Sequence, residues 1–346
     1  MYTTANSIND ILSDEVVMSH FEYMMPLEFI EIVPKDLREI SLEQVREKVK
    51  MPWGIPYISE DIVNVANRIH EIKESDAFSF IQLWSTETAA DFFPATDGEK
   101  MHVGLLKYND SFKKKSKMAL IVPGGAYKEV AVSSEGLDTA RALEKAGYAV
   151  AVMNYRCAPN YYPKPQLDLA LAIKHMRYLA TEYDLMDDLM VVGFSAGGHL
   201  VASEACYHDE VDTILLNELE KDDKELFSRL GKFSVKPDKV VLSYPVINFV
   251  SQQHEESFIN LAGGDESLRD KLSIDLHVTG DYPKTFVWAC DDDDLVPPSN
   301  ASRMYEALKK VGAEVCYKAY PTGGHGCATG IGTSAERWIE EMIKFM

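Results

Sequence analysis

Residues 189–202 read LMVVGFSAGGHLVA. In this segment an apolar run typical of a buried strand meets the pattern G-x-S-x-G, Gly193 to Gly197, and a helix-compatible run follows. A strand, a sharp turn and a helix in this order form a nucleophile elbow, which projects the central side chain, Ser195, above the strand ends. The positive end of the helix dipole also points at that position. The segment therefore predicts an α/β fold with Ser195 as a nucleophile, if the chain also supplies a base, an acid and oxyanion donors.

His325 is the predicted general base. A free serine hydroxyl is a weak nucleophile near neutral pH, and behind such an elbow the histidine follows the acid in chain order. His325 lies in a glycine-rich loop (residues 323–326) after the last predicted strand, Val315–Ala319, so it can reach over the sheet edge to the serine. His199, on the helix that follows Ser195, points away from the acyl site, which favours a packing or hydrogen-bonding role. The remaining histidines lie in unsuitable segments or in the wrong chain order.

The acid is predicted among four consecutive aspartates, Asp291 to Asp294, which follow the apolar strand segment Thr285–Cys290. A run of like charges is normally a solvated loop, so at least two of the four are expected to face water. The acid that orients the histidine must instead be buried beside it. Asp293, three residues before the Val296-Pro297 pair that starts the next element, is the favoured candidate, and Asp292 is the alternative.

Oxyanion donors are predicted on two loops. One donor is the backbone N–H of the residue after the nucleophile, Ala196, and the other comes from the loop after an early strand. The apolar segment 117–122 is such a strand, and the sequence Pro-Gly-Gly-Ala-Tyr follows it directly. Because glycine lets the backbone approach a substrate oxygen closely, Gly125 is the better candidate, with Gly124 and Ala126 as its neighbours.

With these residues in place, the chain resembles an α/β-hydrolase of the acetyl-xylan-esterase-like group, close to the hormone-sensitive-lipase-like esterases. Members of that group carry a Pro-Gly-Gly oxyanion loop. The matching segments occur in family order from about Met118 onward, and they are PGGAY (123–127), SSEG (133–136), NYRCAP (154–159), GFSAGGHL (193–200), LSYPVI (242–247), LHVTGDYPKTF (276–286), DDLVPPSN (293–300) and GGHG (323–326).

The resemblance implies an α/β-hydrolase fold and hydrolysis of short acyl esters, often acetyl groups on sugars. It assigns Ser195, Asp293 and His325 as the catalytic triad, with Gly125 and Ala196 as oxyanion donors. Ala126 and Tyr127, in the same loop as Gly125, are candidate substrate-binding residues. Ala126 stands where a third glycine is common, and its methyl group is expected to narrow the acyl pocket. Such a mechanism requires no metal and no organic cofactor.

The net charge of the chain indicates which classes of partner it can bind. The chain carries 55 Asp and Glu residues against 35 Lys and Arg residues, a net charge of −20. Phosphate groups repel such a surface, which argues against nucleic acid and, more weakly, against strongly anionic substrates. Small neutral esters and acetylated saccharides are compatible with it.

Length and composition are typical of a cytoplasmic protein with one catalytic domain. The 346 residues can bury one large core. No run approaches ~20 uninterrupted apolar residues, and the N-terminus lacks the basic and apolar regions of a secretory signal, so we expect neither a membrane span nor secretion. The five cysteines are odd in number and scattered, which favours reduced thiols over a disulfide framework or a zinc site.

Residues 1–75 are predicted to be a helical N-terminal extension, and residues 76–346 the catalytic domain. A capping-box pattern at Ser41 opens one helix of the extension, to Lys50, and Ser59 is expected to cap a second. An apolar face on that second helix must bury against the catalytic domain or a second subunit, as in a homo-oligomer. The residues of this face are Ile62, Val65, Ala66, Ile69 and Ile72.

From Phe78 onward, strand patterns alternate with helical periods such as 136–145, 167–178 and 299–311. This alternation predicts a mostly parallel central sheet flanked by helices. The predicted strands are Phe78–Leu83, Val103–Leu106, Met118–Val122, Tyr148–Met153, Met190–Phe194, Val240–Ser243, Thr285–Cys290 and Val315–Ala319.

Two inserted segments, 208–235 and 248–282, are candidate lids, because long connections at the carboxyl ends of strands are where ligands bind. An ordinary surface excursion explains either segment equally well. The N-terminal extension, with aromatic residues at Tyr23, Trp53 and Tyr57, is a third candidate for covering the site.

Other functions remain open at this stage. An amidase or peptidase, such as an arylformamidase, would keep the fold and the triad but cleave a different bond. A carbohydrate deacetylase would be a specialised form of the esterase. A non-catalytic binding protein with the same fold is the third alternative.

Overall fold

The computed structural model describes residues 1–18, 21, 25, 28–51, 56–74, 77–84, 103–114, 116–251 and 254–346. These residues fall into two units, one that ends at Phe78 and one that begins at Ser79. Among the described residues, no helix is both long enough and apolar enough to cross a lipid bilayer.

The first unit consists of short helices. Over its described residues these are α1 (Ile8–Leu12), α2 (Glu15–Met18), α3 (Glu28–Glu31), α4 (Leu42–Lys48) and α5 (Ser59–Glu74), with a 3-10 turn at Lys35–Leu37. The predicted apolar face of α5 is buried at Ile62, Val65, Ala66 and Ile69, whereas Ile72 is only half-buried. Long helices of this kind draw most of their stability from such packing.

The two serines predicted to cap helices make different contacts. Ser41 does cap α4, since its Oγ accepts a hydrogen bond from the backbone N–H of Gln44 at 3.3 Å, and the helix ends at Lys48, two residues earlier than predicted. The prediction for Ser59 was wrong. Ser59 is the first residue of α5, and its hydroxyl donates to the carbonyl of Leu42 at 2.6 Å. The hydroxyl is fully buried and must be hydrogen-bonded, and that carbonyl of α4 lies within its reach.

Of the three aromatic residues predicted as a possible cover for the site, Tyr57 lies within the described residues. Tyr23 and Trp53 lie outside the described residues. Tyr57 is buried inside the first unit, where its hydroxyl donates to the carbonyl of Phe29 at 2.8 Å. Its side chain therefore serves the packing of that unit.

In the described part of the second unit, eight strands form one sheet in the order β1-β2-β4-β3-β5-β6-β7-β8. From β4 to β8 every neighbouring pair is parallel, and β2 pairs antiparallel with β4. The strands are β1 (Phe78–Gln82), β2 (Gly104–Tyr108), β3 (Met118–Val122), β4 (Ala149–Asn154), β5 (Leu189–Phe194), β6 (Lys239–Ser243), β7 (Lys284–Cys290) and β8 (Val315–Tyr320). Each lies within two residues of its predicted range, and the predicted mostly parallel sheet flanked by helices is confirmed.

The helices of this unit follow the strands. A π-helical turn at Val132–Leu137 leads into the first of them, and 3-10 turns lie at Asn109–Lys113, Glu266–Leu268 and Ile274–Leu276. The helices are α6 (Asp138–Lys145), α7 (Lys164–Glu182), α8 (Ser195–Asp222), α9 (Lys224–Leu230), α10 (Glu255–Ala262), α11 (Ser299–Val311) and α12 (Trp338–Phe345).

The core lies along the centre of the sheet. Every side chain of β3, β4 and β5 is buried. These strands read as continuous apolar runs because helices cover both faces of a parallel sheet. Since β3 and β5 to β8 are parallel, their carboxyl ends lie at one edge, and the loops that carry the candidate site residues all leave from this edge.

The segment 208–235 is largely a continuation of the helix that follows the elbow. Helix α8 extends to Asp222, with a non-helical backbone only at Tyr207 (φ −112°, ψ 19°). The segment is fixed to α7 by Lys174, whose buried ammonium group contacts Asp212 at 2.8 Å and donates to the carbonyl of Phe233 at 2.5 Å. One buried lysine therefore holds this acidic segment against α7.

Glu204, on α8, is fully buried, and neither of its carboxylate oxygens has a hydrogen-bond partner within the described ranges. Burial raises the pKa of Glu204 well above its ordinary value, and the charge of Asp212 adds to this, while Lys174 opposes it. Between the ordinary pKa and the raised one, the folded state holds a proton that the unfolded state has released. Stability therefore decreases as the pH rises through this window.

We predict that Glu204→Gln, which removes the titration and keeps the volume, becomes progressively more stable relative to the wild type as the pH rises. The difference in free energy of unfolding should grow by on the order of 1–3 kcal/mol between pH 4 and pH 8. Urea unfolding at several pH values measures it. Glu220→Gln, at an exposed position of the same helix, is the matched control and should show no such trend. A Glu204→Gln difference that is constant with pH would contradict the prediction.

Candidate active site

The turn at Ser195 has the geometry that an elbow requires. Strand β5 ends at Phe194 and α8 begins at Ser195, whose φ of 50° lies in the left-handed region that non-glycine residues rarely adopt. A Cβ added to Gly193 would lie 2.5 Å from the carbonyl oxygen of Gly197. One added to Gly197 would overlap the carbonyl oxygens at the end of β3. The two motif glycines are thus needed because the backbone passes too close for any side chain.

Ser195, His325 and Asp293 form a hydrogen-bonded chain. The Ser195 hydroxyl donates to Nε2 of His325 at 2.8 Å, and Nδ1–H of His325 donates to Oδ2 of Asp293 at 2.8 Å. This assignment of the imidazole protons follows from the partners, since the carboxylate can only accept. The structure therefore brings the three predicted triad residues together, with the serine only 7% exposed.

The four consecutive aspartates differ in exposure, as expected for a run of like charges. Asp293 alone is buried, and its second oxygen accepts hydrogen bonds from the backbone N–H groups of Leu295 at 3.1 Å and Val296 at 2.9 Å. The other three aspartates are exposed. Asp292, the alternative acid, points to the backbone of the histidine loop instead, accepting from Gly324 N–H at 2.8 Å and from Gly323 N–H at 3.2 Å. These bonds, that of Gly324 first, lower the pKa of Asp292.

The oxyanion loop lies directly against the serine. A Cβ on Gly124 would lie 2.7 Å from Cβ of Ser195, and Gly125 follows with a φ of 126°. The N–H of Gly124 is already committed, because it donates to Oε2 of Glu135 at 2.5 Å, so the structure does not support Gly124 as an oxyanion donor. The N–H of Gly125 has no acceptor among the described residues. That of Ala196, in the first turn of α8, has no acceptor within the helix.

Tyr127 lies inside the protein. Its side chain is fully buried, and its hydroxyl donates to Nδ1 of His199 at 2.8 Å, while Nε2–H of His199 donates to the carbonyl of Leu272 at 2.8 Å. Burial lowers the pKa of His199 to about 4, so this imidazole is neutral near pH 7. The geometry favours a supporting role for Tyr127 over contact with a substrate. Ala126 lies at the turn of the oxyanion loop, where its backbone has a φ of 54°.

Of the two candidate lids, the segment 248–282 is the one that reaches the site. Asn260, on α10, donates from Nδ2 to the carbonyl of Ala126 at 2.9 Å. His254 precedes α10 and lies near the triad, where burial and then the charge of His325 lower its pKa. Segment 208–235 instead packs along α7.

Two residues of the site were not singled out individually by the sequence. Tyr244, directly after β6, packs its ring against His325 at a centroid distance of 5.0 Å. Glu135, in the π-helical turn, accepts from the Tyr244 hydroxyl at 2.8 Å. Both lie in segments that carry the family resemblance, SSEG and LSYPVI, and a glutamate between a glycine loop and an apolar helix was the available signal.

No group of three or more His, Cys, Asp or Glu side chains in the described ranges is arranged to hold a metal ion. The groups gathered at the elbow can instead activate a hydroxyl, hold a developing oxyanion and move one proton. This is the chemistry of acyl transfer through a serine.

Comparison with known proteins agrees with this geometry. The model of the BD-FAE family matches residues 106–308, more than half of the chain. The acetylxylan esterase of Xylanibacter ruminicola is 28% identical over 245 residues, 68% of this chain and 45% of that protein. Endo-1,4-beta-xylanase B of Butyrivibrio fibrisolvens is 29% identical over 227 residues, 63% of this chain and 33% of that protein. The chain thus spans between a third and about half of the length of these curated relatives.

Solved structures share the fold. The acetyl ester-xyloside bifunctional hydrolase of Caldicellulosiruptor lactoaceticus aligns with a TM-score of 0.65 and 29% identity, over 78% of this chain and 97% of its own. The carboxylesterase Cest-2923 of Lactobacillus plantarum aligns with a TM-score of 0.58 and 21% identity, over 71% and 92%. The resemblance drawn from the sequence motifs is confirmed. The chain belongs to the BD-FAE family, a family of α/β-hydrolase-like esterases.

Proposed function

We propose that this protein is a serine carboxylesterase that hydrolyses short acyl esters, above all acetyl esters of sugars. The observation that carries the proposal is the hydrogen-bonded chain from Ser195 through His325 to the buried Asp293. A neutral imidazole that accepts from the serine and donates to a carboxylate is arranged to act as a general base.

The reaction would proceed in two halves. His325 takes the Ser195 proton as the hydroxyl attacks the ester carbonyl, and Asp293 stabilises the imidazolium that forms. His325 then gives this proton to the leaving alcohol, and the acyl group stays on the serine. Water, activated by the same histidine, cleaves the acyl-enzyme and releases the acid.

The negative charge of each tetrahedral intermediate would be held by the N–H groups of Gly125 and Ala196. Both belong to backbone segments fixed before substrate arrives, one at the end of β3 and one at the start of α8. Donors that need no rearrangement give the largest stabilisation in such reactions. The dipole of α8, which begins at Ser195, acts in the same direction.

The proposed substrate class has separate support. The relatives that match include an acetylxylan esterase and an acetyl ester-xyloside bifunctional hydrolase, so an acetylated saccharide is the substrate that best fits the family. The methyl group of Ala126 beside the oxyanion loop favours a small acyl group. The net charge of −20 favours a neutral alcohol over an anionic one. The five cysteines are free thiols, which supports a cytoplasmic location as part of the proposal.

Ser195→Ala is expected to reduce kcat/KM for p-nitrophenyl acetate by about 10⁴-fold or more, since it removes the nucleophile. Spectrophotometric assay of p-nitrophenol release measures this. Ser203→Ala is the matched control, because Ser203 is also buried on α8 and its hydroxyl has no hydrogen-bond partner in the part of the chain that the structure describes. It should retain the wild-type rate. A Ser195→Ala variant as active as the control would refute the proposed function.

Asp293→Asn should reduce kcat by roughly 10³- to 10⁴-fold, because an amide no longer fixes the histidine tautomer or stabilises its cation. Asp292→Asn should reduce kcat by about tenfold or less, since an amide oxygen can still accept hydrogen bonds from the histidine loop. Asp294→Asn changes an exposed side chain and should have no effect. Steady-state kinetics measures kcat for the three variants and ranks the three losses. A larger loss in Asp292→Asn than in Asp293→Asn would reassign the acid.

Two properties of the proposed substrate can be tested directly: the type of bond that is cleaved and the alcohol that is released. We expect the protein to release acetate from acetylated xylo-oligosaccharides and to prefer p-nitrophenyl acetate to longer acyl esters. N-formyl anilides and short peptides should react far more slowly. Chromatographic quantification of the released acids and amines compares the turnover rates of these substrates. Faster turnover of the formyl anilide would favour the arylformamidase alternative, with the triad unchanged.

A further inference from the structure

Glu135 is a buried carboxylate at the site that the proposed reaction does not use. Its side chain is only 5% exposed, and each of its oxygens accepts one hydrogen bond. Oε2 accepts from the backbone N–H of Gly124 at 2.5 Å, and Oε1 accepts from the hydroxyl of Tyr244 at 2.8 Å. Two donors aimed at one carboxyl group fit its ionised form.

The contacts of Glu135 reach two separate parts of the machinery. Gly124 precedes the proposed oxyanion donor Gly125, so the bond from its N–H fixes the peptide that aims the next N–H. Tyr244 in turn accepts at its hydroxyl from the N–H of Ala328, three residues past His325, at 3.1 Å. One carboxylate therefore connects the oxyanion loop to the histidine loop.

The charge of Glu135 also acts on the base. Burial raises the pKa of Glu135, while the Gly124 N–H, the Tyr244 hydroxyl and the charge of His325 oppose this rise. Several other polar groups contact His325, act on its charge, or lie in or against its loop. They are Asp292 and Asp293 in the acid loop, His254 before α10, Tyr244 after β6 and Cys327 in its own loop.

We propose that Glu135 is a positioning residue of this esterase. Its ionised carboxylate holds the oxyanion loop and the histidine loop in register, and it stabilises the cation that forms on His325 during acyl transfer. The inference rests on the proposed function and adds to it a second buried acid that touches neither the substrate nor the serine proton.

The test uses three variants of the full chain with p-nitrophenyl acetate as substrate. Glu135→Gln removes the charge, and kcat should fall about ten- to a hundredfold with KM within roughly threefold of the wild type. The acid limb of the kcat/KM pH profile should move to lower pH by about half a unit to one unit, because the histidine cation loses a favourable charge. Tyr244→Phe removes the link between Glu135 and the histidine loop, so kcat should fall. The acid limb should move to higher pH, because the remaining carboxylate has lost a donor and protonates at higher pH.

Glu204→Gln is the matched control for the loss of a buried carboxyl group away from the site, and it should change neither kcat nor the pH profile. Circular dichroism and thermal unfolding establish that each variant is folded. An unchanged kcat in Glu135→Gln, or a reduced kcat with an unmoved acid limb, would overturn the inference. If Glu135→Gln does not fold, a wild-type kcat and pH profile in Tyr244→Phe would overturn it.

A second readout needs no turnover. The midpoint of the proton titration of His325, followed by NMR in the resting protein, should be lower in Glu135→Gln than in the wild type and unchanged in Glu204→Gln. A midpoint that is equal in all three proteins contradicts the inference even if the esterase activity is established. Failure of the proposed function, by contrast, would show as an inactive wild type with the midpoint still shifted.

Discussion

The backbone turn at Ser195 is the constraint on which the rest of the second unit depends. The serine keeps a positive φ only because β5 and α8 are packed tightly on either side of it, and this packing leaves no space for a Cβ at Gly193 or Gly197. A strained residue of this kind costs about 1–3 kcal/mol and persists only where the surroundings determine it fully. The buried centre of the sheet provides those surroundings, so the reactivity of the serine and the stability of the core are linked.

Three acidic side chains near the serine have different roles because their surroundings differ. Asp293 is buried and faces the imidazole, Asp292 is exposed and holds the backbone of the histidine loop, and Glu135 is buried beneath the oxyanion loop. Each carboxylate has its donors supplied by backbone N–H groups or by a neighbouring side chain. Glu204 is buried without such donors among the described residues, and burial raises its pKa well above the ordinary value.

Much of this arrangement follows from the sequence, for identifiable reasons. Strands β3 to β7 are recognisable because burial on both faces requires nearly continuous apolar runs, and Ser195 and His325 are recognisable because glycines surround them. Asp293 was separable from Asp292 by its spacing before Val296-Pro297 and by the family resemblance. Residues whose role depends on long-range contacts were not predictable in this way. Gly124 is hydrogen-bonded to Glu135, and Ser59 is hydrogen-bonded to a carbonyl in α4. Each of these bonds joins two segments that no local sequence pattern connects.

The order of the strands has a consequence for how the molecule is made. From β3 outward through β5, β6, β7 and β8, position in the sheet repeats position in the chain, so the sheet can grow at one edge as the polypeptide leaves the ribosome. The serine emerges 130 residues ahead of the histidine, roughly 10 s earlier at ordinary synthesis rates. Throughout that interval the chain contains the elbow sequence but not yet the base. The triad can therefore form only after the last strand has been synthesised.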